Sequence, residues 1–128
     1  MELIIFSPKK NEAGKRLQKV LLGLSLKIRT IACPTFTSLV QELDRPTYDQ
    51  RTAVLLAATR KDFNYILTIP DLLTDIHVIL IIPNRGKQTI AQAHGLRPRF
   101  LSYTDSNFQD VAAVLEKMID YRRTQKRF

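Results

Sequence analysis

The sequence predicts an α/β fold: a single doubly wound domain with a five-stranded parallel sheet and helices on both faces. Five short apolar runs alternate along the chain with five segments of helical periodicity, which is typical of a parallel sheet. Two of the runs, Ala53–Ala58 and "HVILIIP", lack polar alternation, as expected for strands that are covered on both sides. We expect this domain to span residues 1–122, followed by a basic tail over 123–128.

The elements follow in order along the chain. The predicted strands are Leu3–Phe6, Lys27–Ala32, Ala53–Ala58, "HVILIIP" and "PRFLSY". The first helix covers Asn11–Leu22, because its apolar residues recur at helical spacing. Pro34 suits the first turn of the second helix, and Thr59 with Asp62 resembles the start of the third. The fourth helix covers Lys87–His94, and an apolar stripe from Phe108 to Ile119 marks the last one.

The strands and stripes together predict the core. We expect it to include Ile4, Ile5, Leu17, Leu21, Val54, Leu55, Leu56, Ile79, Leu80, Ile81, Leu101, Val111 and Leu115.

Length and composition limit the class of protein. The chain has 128 residues, which fits one domain. Cys33 is its only cysteine, so no internal disulfide can form. The sequence shows no secretory leader and no apolar stretch near the roughly 20 residues that span a bilayer. We therefore expect a cytoplasmic protein with no membrane partner.

The net charge of +8 is unevenly distributed. Residues 1–41 hold seven lysines and arginines against two acids, and residues 76–104 hold four against none. Six cations follow the exits of predicted strands, where an open parallel sheet places its ligand crevice. They are Lys9, Lys10, Arg60, Lys61, Arg85 and Lys87. These side chains are either solvated or form an anion-binding rim for a phosphorylated ligand, a nucleic acid or an acidic protein.

No pattern indicates a catalytic or cofactor site. The stretch "NRGKQT" lacks the first glycine and the final hydroxyl of a P-loop, and no dinucleotide-binding glycine pattern occurs. Cys33, His77 and His94 lie in different predicted elements and do not suggest a metal site. No nucleophile–base pair follows a strand. We therefore expect no enzyme activity, no metal and no cofactor.

The order of elements resembles the response-regulator receiver domain of two-component systems, which has a flavodoxin-like fold. The resemblance covers about residues 2–121 and is clearest in "HGLRPRFLSYTDSNFQDVAAVLEKM". Receivers place paired acids after the first strand, but Phe6 and Ser7 occupy those positions. The phosphate-accepting aspartate falls on Ala57 or Ala58. The hydroxyl residue falls on Pro83 or Asn84, and the lysine falls near Tyr103.

The resemblance therefore implies a pseudo-receiver. Without oxygen ligands such a domain holds no Mg²⁺, and without the aspartate it forms no acyl-phosphate. We expect a phosphorylation-independent signalling module that binds a protein partner, such as a signalling component or a second copy. The resemblance points to the face formed by the fourth helix, fifth strand and fifth helix, including Arg97, Phe100 and Tyr103. The alternative is a binder of a phosphorylated ligand or nucleic acid at the basic rim.

Overall fold

The fold is the predicted α/β architecture. The structure, a computed structural model, describes residues 1–8, 11–24 and 28–125. Its strands are β1 (Glu2–Phe6), β2 (Arg29–Cys33), β3 (Arg51–Leu56), β4 (His77–Ile82) and β5 (Phe100–Tyr103). Its α-helices are α1 (Glu12–Leu22), α2 (Phe36–Asp44), α3 (Arg60–Ile66), α4 (Lys87–Gly95) and α5 (Gln109–Gln125), with a 3₁₀ turn at Pro70–Leu73.

The five strands form one parallel sheet in the order β2-β1-β3-β4-β5. Because all strands run in the same direction, their carboxyl ends meet at one edge of the sheet and their amino ends at the opposite edge. Sheets of this type bind ligands at the carboxyl edge, where the strand order reverses. Here that reversal lies between β1 and β3.

Alternating side chains of the strands divide the core into two layers. Leu3, Val54 and Ile79 pack against α1 and α5, while Ile4, Leu55 and Leu80 pack towards α2, α3 and α4. Most of the predicted core residues are buried, but Ile5 and Leu101 are only partly so. Leu101 belongs to the edge strand β5, and Ile5 pairs with Ala32 of the other edge strand, so each has fewer covering neighbours.

Several boundaries differ from the predicted ones. The strand β2 covers Arg29–Cys33, and Lys27, where it was expected to begin, lies outside the described residues. The helix α2 begins at Phe36 rather than Pro34, because the Thr35 side chain caps it and accepts a hydrogen bond from the Ser38 amide at 3.1 Å. The last helix continues into the basic tail, which we expected to begin at residue 123, and ends at Gln125.

A carboxylate is buried at the amino edge of the sheet. The Glu2 side chain is 2% exposed, and it accepts two hydrogen bonds from the Arg45 guanidinium, at 2.7 and 2.8 Å. Arg45 also donates to Glu42 at 2.8 Å, and Arg29 lies 3.7 Å from Glu2. Burial alone would raise the pKa of Glu2, but the hydrogen bonds and charges of these arginines lower that pKa below its ordinary value.

Candidate functional site

The carboxyl edge begins with an aromatic group at the exit of β1. Phe6, the last residue of β1, is buried, and its ring meets the Phe36 ring edge-on with the centroids 6.5 Å apart. Phe36 opens α2 and stacks on Tyr65 of α3 at 5.1 Å. Three aromatic rings thus connect β1, α2 and α3 where the resemblance to receivers placed one of the paired acids.

The neighbouring positions are equally poor in oxygen ligands. Ser7 donates a long hydrogen bond of 3.5 Å to the Gly14 carbonyl. Ala57 follows β3 and is fully buried, and Ala58 is half-buried. A Mg²⁺ site requires several oxygen ligands in octahedral geometry, and carboxylates usually supply some of them. Phe6, Ser7, Ala57 and Ala58 supply no carboxylate, so these residues do not fit the cation that a receiver binds.

The exits of β4 and β5 are linked to each other by local hydrogen bonds. Thr104 donates to the Pro83 carbonyl at 3.3 Å, which joins the two exits. The Asn84 side chain accepts the Gly86 amide at 2.9 Å and shapes the turn into α4. Tyr103 ends β5, and the Arg85 guanidinium lies 3.8 Å from its ring centroid. The positions expected for a receiver's hydroxyl and lysine therefore belong to a turn and a cation–π pair.

Arg85, one of the expected rim cations, is paired with an acid. Its guanidinium donates to the Asp105 carboxylate at 2.9 Å, and both side chains are more than half exposed. The hydrogen bond from Arg85 lowers the pKa of Asp105, and the same bond raises the pKa of Arg85. The pair therefore offsets part of the positive charge that the sequence places at the β4 exit.

Arg60, the second arginine of the expected rim, binds α4. It donates to the Thr89 hydroxyl at 3.0 Å and to the Gln92 side chain at 2.7 Å. It also lies 5.3 Å from the centroid of the Phe63 ring. Both polar partners are neutral, so neither brings a negative charge to Arg60, which links α3 to α4.

Two of the four lysines of the expected rim belong to the described residues, and two do not. Lys61 and Lys87 are exposed, in the first turns of α3 and α4. Gly86 precedes α4 and provides no side-chain cap, so the first amides of α4 lack that partner. Lys9 and Lys10 lie outside the described residues.

Arg16 is a functional candidate that the sequence analysis missed. It lies on α1, and its guanidinium donates to the Thr104 carbonyl at the β5 exit. The same group lies 5.0 Å from the centroid of the Phe108 ring, and its Nε is buried without a hydrogen-bond partner among the described residues. The sequence offered one indication of this role. Arg16 directly precedes the core residue Leu17 and therefore lies beside the buried stripe of α1.

The interaction face expected from the resemblance comprises residues on or next to α4, β5 and α5. Arg97 is exposed, with a backbone φ of 54°, and Phe100 and Tyr103 are half-buried on β5. Phe108 lies before α5 with a φ of 64°, which is unusual for a bulky residue. The cation–π contact of Arg85 with Tyr103 connects this face to the carboxyl edge.

The described part of the chain holds neither a cluster of metal-ligating side chains nor a membrane-spanning helix. Within it, no group of three or more His, Cys, Asp or Glu side chains is arranged to hold a metal ion. No helix in the same region is long and apolar enough to cross a bilayer.

Comparisons with known proteins show the fold. No known family model matches the chain, and no curated protein matches it. Among solved structures, the chain is similar to the bacteriophytochrome response regulator AtBRR, with a TM-score of 0.64 and 14% sequence identity. The similarity covers 90% of this chain and 89% of that one. The receiver-like fold expected from the sequence is therefore confirmed, and at this identity the likeness concerns the fold alone.

Proposed function

We propose that this protein is a phosphorylation-independent signalling module that acts by binding another protein and has no enzyme activity. A single observation carries the proposal: Phe6 and Ala57 occupy the strand exits where a working receiver would hold acids, and both lie in the buried core. The receiver-like fold supports a role in signalling, including in a two-component system.

The chemistry of these two exits supports independence from phosphate. An acyl-phosphate forms on a carboxylate, and Ala57 has none. The ring of Phe6, packed on Phe36, fills the exit of β1 with apolar surface that offers nothing to a hydrated cation. A module with this edge would remain in one signalling state or be switched by a partner instead of by phosphate.

The partner surface we propose is the face formed by α4, β5 and α5, with Arg97, Phe100 and Tyr103 at its centre. Half-buried aromatic residues beside exposed arginines are typical of protein interfaces. The partner is a signalling protein or a second copy of this chain. A single reduced cysteine, Cys33, suits a cytoplasmic setting, which we include in the proposal.

The proposal can be tested by NMR with beryllofluoride, which mimics a phosphoryl group on a receiver aspartate. We expect the amide signals of Ala57, Ala58 and Thr104 to be the same with Mg²⁺ alone and with Mg²⁺ plus beryllofluoride. A functional receiver measured in parallel shows that the reagent is active. Beryllofluoride-specific shifts around Ala57 would mean that another acid, such as Asp62, serves the reaction, and would contradict the proposal.

A second candidate function is supported by the start of α4. Lys87 is exposed in the first turn of α4, which begins without a side-chain cap, and Lys61 is exposed on α3. Helix starts with cations favour phosphate groups. Under this candidate the rim of Lys9, Lys10, Arg60, Lys61, Arg85 and Lys87 binds a phosphorylated ligand or nucleic acid.

A further inference from the structure

The edge strand β2 and the helix α1 enclose an apolar groove on one side of the sheet. Its volume is about 810 Å³, within the range of ligand pockets. The floor is formed by Leu3 and Ile5 of β1 with Thr30 and Ala32 of β2. The wall is formed by α1, whose Leu22 is 79% exposed. Thr30 and Ala32 have small side chains, and both residues are exposed among the described part of the chain.

The outer edge of β2 has a backbone that can accept another strand. β2 is the last strand of the sheet on this side, and it pairs with β1. The Cys33 carbonyl accepts the Ser7 amide at 3.3 Å, so its backbone groups face β1. Backbone groups alternate in direction along a strand, so those of Thr30 and Ala32 face outward. The same two residues present exposed side chains to the groove.

We propose that this edge binds an extended, acidic segment of a partner protein as a sixth strand. The backbone of Thr30 and Ala32 would supply the ladder hydrogen bonds. Apolar side chains of the incoming strand, at alternate positions, would enter the groove beside Leu22. Strand addition of this kind takes its affinity from the main chain and its specificity from such side-chain pockets.

The charges around the groove determine the chemistry of the partner. Lys15 is charged, and no acid occurs among the described residues that line the groove. The Arg29 side chain, at the start of β2, is 68% exposed although it lies 3.7 Å from Glu2. On the exposed side of α1, Lys15 and Lys19 outnumber Glu12. An acidic strand complements this surface, whereas a second copy would bring the same cations against it.

This proposal concerns the edge strand β2, whereas the α4–β5–α5 face includes the other edge strand, β5. It does not depend on the function proposed above. It can be tested on the full chain with a blocked peptide in which valine and glutamate alternate over the length of β2. Two control peptides carry lysine in place of glutamate, or proline at two central positions. Amide hydrogen exchange and NMR shifts are recorded with each peptide.

The pattern of protection distinguishes strand addition from simple docking. We expect the Val/Glu peptide to slow exchange at the amides of Thr30 and Ala32, which gain a partner. Ile31 and Cys33 already bond β1 and should change less. We expect neither control peptide to give this pattern. Equal protection by the Val/Lys peptide, or protection confined to β5, would overturn the proposal.

Three variants locate the interaction. Leu22→Ser should weaken binding of the Val/Glu peptide by about tenfold, and Ala32→Pro should abolish it by removing an outward amide. Tyr48→Ser removes another exposed large hydrophobic side chain, which does not line the groove, and should leave binding unchanged. Wild-type affinity in Leu22→Ser would overturn the proposal even if Ala32→Pro does not fold. Self-association through β2 that excludes the peptide would also overturn it, in favour of a second copy.

Discussion

Charged side chains have different surroundings at the amino and the carboxyl edges of the sheet. At the amino edge, the Glu2 carboxylate is buried and bonded by Arg45, so its charge is satisfied inside the protein. At the carboxyl edge, Arg60 is held by neutral groups and Arg85 by an exposed acid. The first arrangement stabilises the fold, and the second leaves positive charge near the surface. Of these two arrangements, the one at the carboxyl edge therefore leaves more charge in contact with solvent.

The largest expected effect comes from removing the carboxylate at the amino edge. Glu2→Ala should lower the free energy of unfolding by about 2–3 kcal/mol. This lies below the ~3–5 kcal/mol typical of a broken buried pair, because Arg45 is 36% exposed and can turn to water. Chemical unfolding monitored by circular dichroism measures the change.

The matched control is Asp105→Ala at the carboxyl edge. It also breaks a carboxylate–arginine pair, but both partners are more than half exposed. We expect its unfolding midpoint to stay much closer to the wild-type midpoint than that of Glu2→Ala. Equal losses of stability in the two variants would show that the carboxylate–arginine pairs at the two edges stabilise the fold to the same extent.

The pH dependence of stability should follow the same contrast. The pKa of Glu2 in the folded protein lies below its ordinary value of 4.5, so the unfolded chain binds the proton more readily. Its contribution is fully present above pH 4.5 and is lost as the pH falls through the folded pKa. Glu2→Gln should flatten the acid side of a plot of unfolding free energy against pH.

Asp105 provides the comparison for that titration. Its pKa is also lowered, by the Arg85 hydrogen bond, so its contribution has the same sign. Because Asp105 is exposed, solvent screens the pair, and Asp105→Asn should change the curve less than Glu2→Gln does. The reverse order would assign the acid sensitivity to the carboxyl edge.

A smaller effect is expected from anions at the carboxyl edge. If the rim attracts phosphate, sulfate or phosphate should raise the melting temperature above that in chloride of matched ionic strength. Lys61→Ala with Lys87→Ala should reduce that difference, and so should Lys9→Ala with Lys10→Ala. Lys117→Ala, which removes an exposed cation on α5 outside the rim, is the control. Identical protection by phosphate and chloride would show that the rim lysines are simply solvated.

Much of the fold could be predicted because it depends on local patterns. The uninterrupted run in β4 and the stripe of α5 indicated buried elements without knowledge of their neighbours. The Thr59 cap of α3 was also correctly predicted, since its side chain accepts the Asp62 amide at 3.2 Å. The predicted start of α2 at Pro34 was wrong, because Thr35 and Ser38 form a capping box and the helix begins after Thr35.

The charge pairs could not be predicted in the same way, because they join distant parts of the chain. Arg45 meets Glu2 only where the end of α2 returns to the amino edge, and Arg85 meets Asp105 across the exits of β4 and β5. Arg16 was missed because its partner is a backbone carbonyl, which no side-chain pattern records. Arg60 and Arg85 follow the exits of β3 and β4, but the sequence did not predict the side chains that they bind.

The central proposal, that the protein does not accept a phosphoryl group at the carboxyl edge, is tested most directly by intact-mass spectrometry. The protein is incubated with acetyl phosphate and Mg²⁺, with a functional receiver as the positive control. We predict that its mass stays unchanged while the control gains a phosphate, because Phe6 and Ala57 replace the required acids. A stable, Mg²⁺-dependent gain of one phosphate by this protein would contradict the account.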